Sequence, residues 1–433
     1  MNEKTNSGAQ RSLRRWATRA FGLGRPDLTE AALADPLLHL GALLEAPQPD
    51  TVTLNTLNAR IDKNIRRDPA RAGHFLQTAF HAYDGPRTPV LDRLLIQALD
   101  AEWRGQADQA EKGRALGRKL NLFETTYGTV PATLLYRGAL ALRAGGRHEA
   151  FALQARAAHE IGPVGMPWMH IGAHGLRPDA GTDWQDGVTS RSIADTQQQI
   201  DWYRTPKNPG PITLLAGGDS AFFRAYGPSL QASLRAHDAT CTLHFHIVNM
   251  TPRCAAAIDA LDDPCLSVTT ERYPHADDRG YFASVRFYRL GEIRARLPQP
   301  AYITDLDNVV TQPIASAHAA FGTADAAWHS HASQTWFPWW GPSAANTYVG
   351  AGPGGEQIAD WMRAYLAARF RPGNFFKSWW IDQLMLNEIA HTAQEKGLHT
   401  ITSRVPALTL SHPLPNDQRL SIRSAFLAGD FAD

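Results

Sequence analysis

The chain has few cysteines, no long hydrophobic run and no excess of charge of either sign. Its 433 residues include three cysteines, 43 basic side chains and 42 acidic ones. The three cysteines lack metal-ligand spacing and their odd number argues against a disulfide framework, so we expect a reducing, cytoplasmic compartment. The balanced charge gives no indication of nucleic-acid binding. No apolar run approaches the roughly 18–20 residues that span a bilayer, so no transmembrane segment is predicted.

Residues 1–27 form a basic stretch without the apolar core of a secretory signal. Trp16, Phe21 and Leu23 lie among its arginines, which leaves two interpretations open. One is weak peripheral contact with an anionic surface such as the inner membrane. The other, which we favour, is a flexible basic tail.

Residues 28–165 have the composition of a helical domain. Its clearest unit runs from Ala132 to Pro163, where apolar faces on either side of Gly145 and Gly146 predict two helices. This hairpin resembles the tetratricopeptide type, and an irregular helical bundle is the alternative. Because such hairpins commonly bind peptides, a protein partner at this domain is a hypothesis. Residues 166–210 are predicted to be a packed connector with one short helix near Ser190 to Tyr203.

From residue 211 onward the pattern changes to that of an α/β domain, for which we predict a mixed, mainly parallel sheet. Ile212 to Ala216 is a compact apolar strand, and two glycines with Asp219 follow at its carboxyl end. Ligands gather at such strand ends in open α/β sheets, and glycine permits close approach of the backbone. In the next strand His244 and His246 share one face. A metal site is the less favoured interpretation, and a half-buried polar face is the favoured one.

Two aspartates, one residue apart, follow the short apolar strand Ala301 to Thr304. If the turn is only partly extended, Asp305 and Asp307 converge on one divalent cation. Hard carboxylate oxygens suit Mg²⁺ or Mn²⁺, and these ions usually keep open positions for substrate phosphates. An ordinary strand followed by a polar turn is the alternative.

Tryptophan is concentrated after the acidic turn. The indole faces could form a platform for a sugar acceptor or a hydrophobic plug under a long loop, and the sequence favours neither. The residues are Trp328, Trp336, Trp339 and Trp340.

Four ordered blocks of residues 211–433 resemble a nucleotide-sugar-dependent glycosyltransferase of the GT-A fold, most like family 8. The first block contains "AGGDSAFFRAYGPSLQASLRAH", and the second is "SVRFYRLGEIRARL" followed by "YITDLDNVV". The third is residues 345–350, where Thr347 and Tyr348 replace the family's usual Ala-Gly. The fourth is "WIDQLMLN". The resemblance implies an α/β glycosyltransferase domain behind the helical domain.

The resemblance also implies an activity, namely metal-dependent transfer of a hexose from a UDP-sugar to a saccharide or protein acceptor, as in bacterial polysaccharide or protein glycosylation. Mn²⁺ or Mg²⁺ would be the cofactor. It implies three groups of site residues: for donor binding Ala216, Gly217, Gly218, Asp219, Tyr226, Arg286 and Asp305; for metal binding Asp305, Asp307 and His412; and for catalysis Asn346, Asp382 and Gln383.

Several alternatives stay open. Arg286 shares its segment with Arg289, Arg294 and Arg296, so a solvated helix face is a competing explanation. Asp382 opens a helix and could be only its cap. A non-catalytic scaffold that binds nucleotide sugars and uses its helical domain for protein interaction is the alternative function. A nucleotidyl- or phosphoryl-transfer enzyme typically has a phosphate-binding loop or further acidic ligands, which are not found.

Overall fold

The computed structural model describes residues 68–70, 72–74, 76, 89–106, 108–176, 200–275, 278–330, 336–370, 379–403 and 408–411. The chain divides into two compact units, residues 1–180 and 181–433. The predicted basic tail lies outside the described residues. No helix among the described residues combines the length and the apolar character that crossing a bilayer requires.

The first unit is helical, as predicted. Its helices have conventional starts: Asp108 caps α2 by accepting a hydrogen bond from the Glu111 amide at 2.8 Å. Pro131 occupies the first turn of α3, where its missing N–H costs nothing. The described elements are α1 (Pro89–Gly105), α2 (Gln109–Tyr127), α3 (Pro131–Arg143), α4 (Arg147–Gly165) and the 3₁₀ segment Trp168–Gly175.

Helices α3 and α4 form the predicted hairpin, and the turn between them contains Gly145 and Gly146. The two helices cross closely at Gly138. A Cβ added there would lie 2.5 Å from Cγ of Gln154 and 2.8 Å from the carbonyl oxygen of Ala150. A helical hairpin is therefore confirmed. Its relation to tetratricopeptide repeats stays a prediction.

The second unit is built on an eight-stranded sheet in the order β1-β4-β3-β2-β5-β8-β7-β9. Strands β4, β3, β2 and β5 run parallel to one another, while β8 is antiparallel to both of its neighbours. A separate pair joins β6 to β10. This is the mixed, mainly parallel sheet that the sequence predicts. The strands are β1 (Asp201–Arg204), β2 (Thr213–Asp219), β3 (Thr242–Val248), β4 (Leu266–Glu271), β5 (Ala301–Ile303), β6 (Asn308–Val310), β7 (Ala326–His329), β8 (Thr347–Val349), β9 (Thr400–Ser403) and β10 (Thr409–Ser411).

Apolar side chains cover both faces of this sheet. Leu214 and Leu215, successive residues of β2, enter two different buried clusters, as the alternation of a strand requires. Helices supply the other side of each cluster. They are α5 (Ser220–His237), α6 (Pro252–Asp259), α7 (Arg279–Tyr288), α8 (Leu290–Arg294), α9 (Ala315–Phe321), α10 (Pro353–Arg369) and α11 (Ile381–Glu395).

The predicted connector helix near Ser190 to Tyr203 is wrong at its carboxyl end, where strand β1 lies. Residues 201–204 are extended and pair antiparallel with β4. The ring of Trp202 packs edge-on against His244 at 5.6 Å between centroids. This contact supplies the packing that overrides any local helical preference. Residues 190–199 lie outside the described part of the chain.

The two histidines of β3 are fully buried, so the predicted half-buried polar face is wrong. Nδ1 of His244 lies 2.9 Å from Oγ of Ser267, and both imidazoles contact Oγ1 of Thr269 at 2.9 Å. Helices cover both faces of a mainly parallel sheet, so a central strand has no solvated side. Burial lowers the pKa of His244 well below its usual value, and this favours the neutral ring.

Candidate active site

The order of the strands identifies a crevice between β2 and β5. The chain passes from β2 outward through β3 to β4, and then returns to place β5 on the opposite side of β2. Leu215 pairs with Ile303, so two residues further along the chain lie Gly217, within β2, and Asp305, in the turn after β5. Ligands of open α/β sheets bind outside the carboxyl ends of strands at such a point of reversal. The glycines of β2 and the acidic turn therefore meet there.

Arg286 of helix α7 joins two acidic residues at this crevice. Its Nη2 atom lies 2.5 Å from Oδ1 of Asp305 and 3.6 Å from Oδ2 of Asp382. The arginine is 2% exposed, so the proposed alternative of a solvated helix face is wrong for this residue. Three residues from two separate sequence blocks thus form one charge cluster, in which Arg286 is buried and the side chain of Asp305 is partly exposed.

The two glycines lie within β2 rather than in a turn after it, and packing of the protein itself explains them. A Cβ added at Gly217 would lie 3.2 Å from Cβ of Arg286, and one added at Gly218 would lie 2.8 Å from Cδ1 of Leu306. The absence of side chains thus lets helix α7 and the acidic turn approach β2. The predicted contact of these glycines with the donor stays a prediction.

Three further residues are predicted to bind the donor, and two of them, Ala216 and Asp219, flank the glycines in β2. Ala216 is buried within β2, and Tyr226 is buried on α5 with its ring 4.8 Å from that of Phe222. Asp219 caps α5 by accepting a hydrogen bond from the Phe222 amide at 2.7 Å. Burial raises the pKa of Asp219 despite this bond. Each residue has a structural role in β2 or α5, and a role in donor binding stays a prediction.

Asp382 is the second residue of α11, whose N-cap is Trp380 in the left-handed conformation (φ 68°). Oδ1 of Asp382 accepts a hydrogen bond from the Gln383 amide at 2.9 Å. Its other oxygen faces Arg286, so the carboxylate does more than satisfy the first turn of its helix. Burial raises the pKa of Asp382 to about 6, against the attraction of Arg286 and together with repulsion from Asp305.

Asn346, a predicted catalytic residue, is bonded within the protein. Its Oδ1 accepts a hydrogen bond from the Tyr302 hydroxyl at 2.6 Å and one from the Thr409 amide at 3.3 Å. Its Nδ2 donates to the Thr409 carbonyl at 3.4 Å. These bonds hold β5, β8 and β10 together. The predicted contact with the donor sugar receives no support from them.

Two of the three predicted metal ligands, Asp305 and Asp307, lie in the acidic turn. The side chain of Asp305 is 37% exposed, and two hard carboxylates in one turn have the chemistry that Mg²⁺ or Mn²⁺ prefers. Ser411 of β10 pairs with Asn308, the residue after Asp307. His412 follows Ser411 in sequence but lies outside the described residues. Within the described part of the chain, no three histidine, cysteine or acidic side chains group as metal ligands.

The tryptophans after the acidic turn are buried, which supports the hydrophobic plug. Trp328, Trp336 and Trp339 are at most 1% exposed, and Trp340 is 7% exposed. A platform for a sugar requires an exposed ring face. Trp339 and Trp340 instead pack on the ring of Phe337, with 5.1 and 4.6 Å between ring centroids.

A second buried arginine, three residues after Arg286, was not assigned a role from the sequence. Arg289 forms a close ion pair with Glu271 at the end of β4, and it also contacts Glu292 at 2.9 Å. The hydroxyl of Tyr281 donates to Glu271 at 2.6 Å. Burial alone would raise the pKa of Glu271, but His246 and Arg289 lower it to about 2. The feature of the sequence that could have indicated a role for Arg289 is its spacing of three residues from Arg286, which places both on one side of a helix.

Neither a protein-family model nor a curated protein sequence matches the chain. Three similar solved structures are glycosyltransferases in their apo forms. Mouse xyloside xylosyltransferase 1 is 11% identical with a TM-score of 0.29, over 44% of this chain and 84% of that one. GlyE of Streptococcus pneumoniae TIGR4 is 13% identical with a TM-score of 0.31, over 52% of each chain. The bifunctional glycosyltransferase WbbM is 12% identical with a TM-score of 0.29, over 46% of this chain and 39% of that one. Likeness at this level does not assign the chain to a family.

Proposed function

We propose that the protein is a glycosyltransferase that moves a hexose from a nucleoside-diphosphate sugar, with UDP as the nucleotide, to a saccharide or protein acceptor. The observation that carries the proposal is the cluster of Arg286, Asp305 and Asp382. Its members come from two of the blocks that resemble the GT-A family, and they meet at the crevice between β2 and β5.

The cluster has the groups that a diphosphate donor needs. The planar guanidinium of Arg286 suits the oxygens of a phosphate, which it can bind in a bidentate manner. Asp305 and Asp307, with His412 as a further ligand, would hold Mn²⁺ or Mg²⁺. Bound there, the ion would stabilise the negative charge that develops on the leaving diphosphate.

Asp382 is the candidate for stabilising the sugar. Departure of the diphosphate leaves positive charge at the anomeric carbon, and a nearby carboxylate stabilises that charge most strongly where water is excluded. With a pKa of about 6, the carboxyl group is mostly ionised at neutral pH. Gln383 follows at the start of α11, and we propose that its amide binds a sugar hydroxyl.

The test is a panel of UDP- and GDP-sugars incubated with the full chain, with and without Mn²⁺. We expect Mn²⁺-dependent hydrolysis of one UDP-sugar, abolished in Asp382→Asn. Tight binding of a donor without hydrolysis or transfer would favour the non-catalytic scaffold. Absence of binding to every donor would reject both functions.

A further inference from the structure

We propose that Arg286 is a resident cation that a divalent metal must displace from Asp305, so that the metal binds tightly only together with the donor diphosphate. This inference rests on the proposed function and adds an order of binding to the same site. Asp305, the predicted metal ligand, already forms an ion pair with a positively charged residue of the protein, Arg286.

Two backbone carbonyl groups hold the guanidinium of Arg286 in place. Nη1 donates to the Ala283 carbonyl at short range, and Nη2 lies 3.5 Å from the Ala344 carbonyl oxygen. Asp305 is the more exposed partner, with 37% of its side chain accessible against 3% for Arg286. A ligand that arrives from solvent therefore reaches Asp305 before it reaches Arg286.

The ion pair weakens the attraction of Asp305 for a metal in two ways. First, the guanidinium at 2.5 Å neutralises the carboxylate. Second, a metal bound to the same carboxylate would stand next to a fixed positive charge, and repulsion between partly buried charges is poorly screened by salt. Asp382 lies further from the guanidinium, at 3.6 Å, so it compensates Arg286 only partly when Asp305 is withdrawn.

A diphosphate removes this conflict. The Nε atom of Arg286 is buried and has no hydrogen-bond acceptor among the described residues. A guanidinium has five N–H donors, and phosphate oxygens match its geometry. The diphosphate thus gives Arg286 a new anionic partner and releases Asp305 for the metal. Because linkage is reciprocal, the metal raises the affinity for the diphosphate by the same factor.

The experiment is a titration of the full chain with Mn²⁺, alone and with saturating UDP, followed by electron paramagnetic resonance of free Mn²⁺. It compares the wild type with Arg286→Gln and with Arg253→Gln, which removes an exposed arginine from α6. For Arg286→Gln we expect Mn²⁺ alone to bind at least about tenfold more tightly than to the wild type, with a smaller further gain from UDP. Arg253→Gln should behave as the wild type.

A folded Arg286→Gln that binds Mn²⁺ alone no more tightly than the wild type would overturn the proposal. Should that variant fail to fold, Arg286→Met also removes the charge and keeps an unbranched side chain at the buried position, and the affinity for Mn²⁺ alone should still rise. An unchanged or lower affinity in a folded Arg286→Met would equally overturn it. Hydrolysis of donors is measured separately, so a failure of the proposed function is distinguishable from a failure of this ordering.

Discussion

An ion pair of 2.5 Å joins Arg286, on helix α7, to Asp305, in the turn after strand β5. It forms because Gly217 lets α7 approach the end of β2. The pair neutralises the charge of Asp305 before any ligand binds. A negatively charged donor must therefore rearrange contacts that already exist, and the predictions below test those contacts one at a time.

Replacement of Asp305 by asparagine should abolish Mn²⁺-dependent binding of UDP. The change removes the carboxylate charge that both the metal and Arg286 use, while the shape of the side chain is retained. Asp307→Asn should have the same effect on binding. Isothermal titration calorimetry with UDP and Mn²⁺ measures it, and circular dichroism confirms the fold. Wild-type affinity in both variants would contradict the metal site.

Asp382→Asn should lower the rate of glycosyl transfer by at least about 100-fold and leave the affinity for UDP near that of the wild type. A carboxylate that acts only on the developing positive charge changes kcat rather than donor binding. Glu395→Gln, an exposed acid at the other end of α11, is the matched control. Normal turnover of Asp382→Asn would reduce Asp382 to a structural residue.

The same variant should change the pH dependence of stability in a defined direction. The pKa of Asp382 is raised from 3.8 to about 6, so the folded protein holds this proton more tightly than the unfolded chain. Its stabilising contribution is complete below pH 4 and is lost as the pH rises through 6. An asparagine amide does not titrate, so Asp382→Asn should gain up to roughly 2–3 kcal/mol relative to the wild type between pH 4 and pH 7. Urea unfolding at both pH values measures this, and a pH-independent difference would contradict it.

Gly217→Ala should weaken UDP binding because the added Cβ would press on Cβ of Arg286, at 3.2 Å, and displace the guanidinium. Gly291→Ala on α8 is the control, since its Cβ would meet only Oδ1 of Asp360, at 3.9 Å. Calorimetry with UDP compares the two variants. If they bind UDP equally well, close packing at Gly217 does not position Arg286.

The buried tryptophans give a prediction about stability. Trp339 is fully buried, so Trp339→Ala should lower the free energy of unfolding by about 3–5 kcal/mol. Trp339→Phe should show only part of that loss. Denaturant unfolding measures both variants. A stable Trp339→Ala with a raised KM for the acceptor would instead support the aromatic platform.

The parts of the fold that could be predicted from sequence are those with a strong local pattern. The apolar run before Gly217 and the helical hairpin around Gly145 are examples, and both are present. The acidic turn was identifiable because two aspartates directly follow an apolar run. Its neighbours Arg286 and Asp382 came from the order of the family-like blocks, and the structure brings all three together.

The parts that could not be predicted depend on distant partners. In the sequence Arg289 resembles a surface arginine. In the structure it is buried, and its charge is neutralised by Glu271 at the end of β4. Strand β1 has only four residues, and its pairing with β4 has no signal within those residues. The tryptophans are likewise buried by parts of the chain that the fold packs against them. In each case a long-range contact decides the environment of a side chain whose own type leaves it open.

The pairing of β6 with β10 has a consequence for the synthesis of the protein. Hydrogen bonds join Thr304 and Asn308 to Thr409, which lies 105 and 101 residues further along the chain. During synthesis, about a hundred further residues are therefore added after the acidic turn before strand β10, which contacts it, is complete. Contacts over such separations form late. A chain terminated within this interval would contain β2 and β5 but would lack strand β10, which pairs with β6 beside the candidate active site.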